Sequence, residues 1–139
     1  MHAYASALLA ASAAIVLCLG TLHLLLTFRG PKLHPRDQSL RVRMQAVSPV
    51  LTRQTTMWDA WIGFNASHSF GAILFGLVYG YLALEQGALL FASPFLLLVG
   101  ACLLAGYLAL ARRYWFRIPF RGIALALACY LGAVILALR

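Results

Sequence analysis

The chain has 139 residues, 63% of them hydrophobic and 10% charged, with a mean hydropathy of +0.88 and a net charge of +8. A soluble domain carries about 25% charged and roughly 45–50% apolar residues, so a water-soluble core is excluded as the frame for this sequence. The excess of 11 Lys+Arg over 3 Asp+Glu sits mainly in two loops without any nucleic-acid recognition module; it points to membrane orientation and to a bilayer with anionic headgroups as partner, and no nucleic acid.

The first span is predicted over about 5–28 (ASALLAASAAIVLCLGTLHLLLTF). It exceeds the ~20 apolar residues that cross a bilayer. No Lys or Arg precedes it, and its apolar run is longer than that of a signal peptide, so it is expected to be retained. A polar loop follows over 29–47, where Gly30 and Pro31 stop the helix and Pro35 keeps the chain irregular. Arg29, Lys32, Arg36, Arg41, Arg43 and, further on, Arg53 make the region basic.

Ser48-Pro49 reads as an N-cap followed by proline at the first helical position. The second helix is therefore expected to start near 49, with its membrane span over 57–84. The short connection 85–88 (EQGA) makes spans two and three antiparallel neighbours. Span three is predicted over about 89–111. A loop over 112–121 (RRYWFRIPFR) mixes arginine with aromatic residues, as membrane interfaces do. Span four covers about 118–138. Cys18, Cys102 and Cys129 fall within apolar segments and lack C-x-x-C spacing, so they read as small packing residues.

These elements predict a single all-α domain, an integral membrane four-helix up-down bundle. The positive-inside rule puts loops 29–56 and 112–121 in the cytoplasm, with the N-terminus and C-terminus outside. The expected location is the cell inner membrane, multi-pass. Small residues recur at i, i+4 in Ala72, Gly76 and Gly80, in Gly63, Ser67 and Gly71, and in Ala124, Ala128 and Gly132. Such rows let helices approach closely, within a compact bundle or across a homo-oligomer contact.

The least ordinary stretch is 57–81 (MWDAWIGFNASHSFGAILFGLVYGY), which is apolar enough to span and yet carries Asp59, Asn65, Ser67, His68 and Ser69. Polar groups in hydrocarbon need a partner, a cavity or a task. Trp58, Trp61, Asn65 and His68 share a face at helical spacing, and His23 and Thr27 share one on the first span. Measured from edges at Phe28 and Met57, the depths are about 8 Å for His23, 12 Å for Asn65 and 17 Å for His68 at 1.5 Å per residue. His23 and Asn65 match in height; the two histidines differ by about 9 Å.

Several readings fit. The six residues His23, Thr27, Trp58, Trp61, Asn65 and His68 could line a site for a lipid-like or hydrophobic small molecule, with indole walls and a few placed polar groups. They could instead bond to one another and fix helix packing in a structural or interaction subunit. His23 and His68 could also be axial ligands of a b-type haem. A zinc site needs three or four ligands, which this set does not reach. No catalytic residue is assigned.

The segments TFRGPKLHPRD and MWDAWIGFNASHSFGAILFG resemble those of a small bacterial four-span membrane family without an assigned activity. The likeness covers about residues 20–84 and implies four helices. The size and four-span layout are also similar to the membrane-associated glutathione and eicosanoid enzymes, which carry a Glu-Arg and Arg-to-Asn pattern around the second helix. Arg53 and Asn65 match that pattern and its glutamates are missing. The resemblance implies glutathione-type chemistry as a further alternative.

Overall fold

The computed structural model describes residues 2–138. Six helices follow in order: α1 (His2–Phe28), α2 (Gln38–Ala46), α3 (Met57–Glu85), α4 (Gly87–Ala92), α5 (Pro94–Tyr114) and α6 (Arg117–Ala137). The described residues contain no strand. Four helices are long and apolar enough to cross a membrane: 26 residues from Ala3 in α1, 29 in α3, and 21 each in α5 and α6. Their outward surfaces are apolar, with Phe64 77% and Leu74 63% exposed. Water would not tolerate such a surface; hydrocarbon matches it, provided every backbone group is satisfied within its own helix.

Helix ends follow local chemistry. After α1 the chain turns at Gly30, whose φ of +79° suits a residue without Cβ. Asp37 caps α2 by accepting from the Ser39 backbone N–H. Ser93 caps α5 by accepting from Leu96 N–H, with Pro94 at the first position.

Three expectations are corrected. The second long helix does not start near 49. Residues 47–56 are non-helical, and α3 begins at Met57. Pro49 opens a turn in which its carbonyl accepts from Thr52 N–H at 3.3 Å. Thr52 Oγ1 then accepts from Gln54 N–H at 3.1 Å, and Thr56 Oγ1 from Asp59 N–H at 3.1 Å. Threonine hydroxyls here take up backbone donors locally and divert the chain from helix until Thr56 caps α3. The second correction concerns the loop itself, where 38–46 form the short helix α2. Near the other end of α3, residues 87–92 form α4, so the third span starts at Pro94 and not at 89.

The chain divides into two compact units: residues up to Leu19 with those from Ala72 onward, and Gly20–Gly71. The hydrophobic core lies in the first. It is built from Leu9, Ala13 and Val16 of α1, Phe75 and Tyr79 of α3, Leu104 of α5, and Ile123 and Tyr130 of α6. Helices α1 and α3 are opposed there: Gly76 meets Leu17 and Ala13, and Gly80, one turn on, meets Ala13. A Cβ at Gly76 would lie 2.6 Å from Leu17 Cβ and 2.9 Å from Ala13 O, so within the expected small row Gly76 is the position used for close backbone approach. Gly63 is not so used, since nothing lies within 4 Å of a Cβ there.

The core also holds a polar seam. Tyr79 donates its hydroxyl to Leu96 O at 2.7 Å, and Tyr130 donates to Leu97 O at 2.9 Å. Phe75 stacks on Tyr79 with ring centroids 4.6 Å apart, and Tyr130 meets Tyr79 edge-on at 6.0 Å. Gly100 makes room for both phenols; a Cβ there would sit 2.8 Å from Tyr79 Cε1. A buried tyrosine needs a partner for its hydroxyl, and the first turn of α5 supplies two carbonyls.

Candidate functional site

The polar cluster lies within the unit Gly20–Gly71, on the end of α1 and the start of α3. Asn65 is its hub. Its Nδ2 donates to the Trp61 carbonyl one turn back at 2.8 Å, and its Oδ1 lies 3.0 Å from His23 Nε2. An amide oxygen only accepts, so His23 carries a proton on Nε2. The opposite amide orientation would set Oδ1 against the Trp61 carbonyl, acceptor to acceptor. Both ends of the Asn65 amide are thus engaged by the chain itself.

His68 meets His23 edge to face, with ring centroids 5.6 Å apart and planes at 86°. The depth estimate placed the two about 9 Å apart in height; the structure brings them into contact. A helical side chain leans toward its own N-terminus. On opposed helices these leans converge, so His23 and His68 reach toward each other. Ser69 Oγ donates to Asn65 O at 2.8 Å and Thr27 Oγ1 to His23 O at 2.8 Å. Both hydroxyls donate to the preceding turn of their own helix.

The tryptophans are tied to the connecting loop. Trp61 donates Nε1–H to Leu33 O at 3.1 Å. Trp58 is flanked by the His34 ring, edge-on at 5.1 Å, and by Arg41 of α2, whose Cζ lies 5.1 Å from the indole centroid. A guanidinium over an indole gains about 0.5–2 kcal/mol, more as it is desolvated; Arg41 Nε is buried and has no hydrogen-bond partner. Met57 N–H donates to Val47 O at 2.8 Å and so closes the loop onto the start of α3. Asp59 accepts from the Thr56 hydroxyl at 2.8 Å. At the start of α2, the hydroxyl and the backbone N–H of Ser39 hold the Asp37 carboxyl below the usual carboxylate range.

The structure therefore brings His23, Asn65 and His68 together and sets Trp58 and Trp61 as loop anchors. Leu33 and His34, which help seat those indoles, carry no helical-spacing signal, because a loop has no periodicity; Arg41 sits on α2, a short helix in a stretch expected to be loop. The Tyr79–Tyr130 seam was also missed; its one available sign was tyrosine away from the interfacial positions that aromatic belts occupy. Among the described residues no group of three or more His, Cys, Asp or Glu could hold a metal ion. Arg53 lies in the loop that precedes α3, and Asn65 lies on α3. No family model, no curated protein and no solved structure matches the chain.

Proposed function

We propose that this chain is a small membrane subunit in which His23, Asn65 and His68 act as a polar lock between α1 and α3, holding the basic loop between them in a set position. The observation that carries this is the double engagement of Asn65, to His23 and to the Trp61 carbonyl. An interhelical hydrogen bond in a membrane contributes about 0.6–2 kcal/mol. Its larger effect is on register, since sliding α3 by one residue would unpair both groups in hydrocarbon. The loop is tied to the same helix start through Trp61 to Leu33 and Trp58 to Arg41, so locking α3 also orders a basic surface. The charge pattern supports loops 29–56 and 112–121 facing the cytoplasm of a bacterial inner membrane, with both termini outside.

The test is a double-mutant cycle with His23→Leu and Asn65→Leu in the full chain, read by thermal unfolding in detergent. A coupling of about 0.6–2 kcal/mol is expected, and additive effects would sink the lock. The ligand-binding reading keeps one specific support: Trp61 is 43% exposed beside the cluster. Mass spectrometry of co-purifying small molecules, compared between the native chain and His68→Ala, separates the two. A hydrophobic compound present only with His68 favours a ligand site over a lock.

A further inference from the structure

The turn between α5 and α6 forms an open groove of about 190 Å³, lined by Arg112 and Arg117 together with Ala111, Trp115, Phe116 and Phe120. It lies where two membrane-length helices end. We propose that this groove is a docking site for the phosphodiester headgroup of an anionic glycerophospholipid. Three observations converge on that occupant.

The first is charge. Arg112, Arg113, Arg117 and Arg121 crowd the turn, and no Asp or Glu follows Glu85 in the sequence. No carboxylate is close to these guanidiniums along the chain, and a phosphodiester offers two non-bridging oxygens that the planar guanidinium can bind in bidentate fashion. The second is the start of α6. Its N-cap, Phe116, makes no side-chain cap, and its first turn contains no acidic residue. Pro119 has no N–H, and Phe120 N–H is taken by Phe116 O, so the amides of Arg117 and Ile118 remain as donors at the positive end of the helix. The third is shape and polarity. The walls are aromatic, with Trp115 set 6.2 Å from the Tyr107 ring, and the neighbouring Phe116 and Ile118 are 68% and 70% exposed. A headgroup held at the arginines would leave its acyl chains beside apolar helix surface. A free phosphate would gain nothing from that surface.

The experiment uses the full chain in nanodiscs containing phosphatidylglycerol and phosphatidylcholine, followed by detergent extraction and native mass spectrometry. The native chain should retain phosphatidylglycerol in preference to phosphatidylcholine. Arg112→Gln with Arg117→Gln should lower that retention about 30-fold, from roughly fivefold per basic residue at an anionic surface. Arg113→Gln with Arg121→Gln removes the same charge outside the groove lining and should lower retention clearly less than the first pair does, because those guanidiniums act on the phosphate only through its field and not through direct bidentate hydrogen bonds. Equal loss in both pairs would mean a diffuse basic surface and overturns the site. Displacement of the lipid by inorganic phosphate, or equal retention of phosphatidylcholine, overturns the anionic-lipid assignment. Unchanged circular dichroism verifies folding; should the double variant not fold, the single replacements at Arg112 and Arg117 carry the same comparison, each expected to lose about fivefold.

Discussion

Two glycines one turn apart on α3 should respond oppositely to the same added methyl group. At Gly80 a Cβ would sit 3.7 Å from Ala13 Cβ, an ordinary van der Waals distance. At Gly76 it would meet Leu17 Cβ at 2.6 Å, Ala13 O at 2.9 Å and Leu17 Cα at 2.9 Å. Two of those three atoms are backbone, so relief requires α1 and α3 to separate. Both substitutions gain the same helix-propensity term, about 1 kcal/mol. That term cancels in the comparison and leaves overpacking at Gly76, about 1–3 kcal/mol. Gly80→Ala should therefore be neutral or stabilising, and Gly76→Ala should melt roughly 3–9 °C below it, at about 3 °C per kcal/mol for a chain of this length. The assay is thermal unfolding of each full-length variant in one detergent, followed by circular dichroism. If Gly76→Ala melts with or above Gly80→Ala, the close α1–α3 seam is wrong.

Other expectations follow from particular side chains. Gly100→Ala should lower the melting temperature by driving a methyl group into the Tyr79 and Tyr130 rings, while Tyr130→Phe should cost only about 0.5–1.5 kcal/mol, the worth of one hydrogen bond; equal effects of the two would argue against the crowding. Ser12 Oγ is buried without a partner, so Ser12→Ala should hold or raise stability, and a clear loss in the melt would show that the hydroxyl is satisfied. The Asp37 carboxyl is held below its usual range by Ser39. A depressed folded pKa contributes stability that is complete above the unfolded value, about 3.9, and is lost as pH falls through the lower folded value. The Ser39 amide resonance should therefore stay fixed down to about pH 4 and move below it; movement around neutral pH would contradict the cap.

The membrane-length helices were legible from the sequence because hydrocarbon leaves the backbone few choices. Every N–H and C=O must pair within its own segment, so length and hydropathy suffice. The end of α1 at Phe28 could be read from Gly30 and Pro31 for the same local reason. The candidate cluster was legible in part, since Asn65, His68 and His23 stand out wherever polar groups are costly. What only tertiary structure decided is how they meet. The convergence of His23 on His68 depends on opposed helices whose side chains lean toward their own N-termini, which a count of residues along each helix ignores. The start of α3 went the same way: Pro49 carried a sound helix-start signal, and threonine hydroxyls together with the Met57–Val47 bond overrode it. Which small residues pack was likewise undetermined by spacing, because Gly63 and Gly76 look alike in sequence and differ only in what faces them.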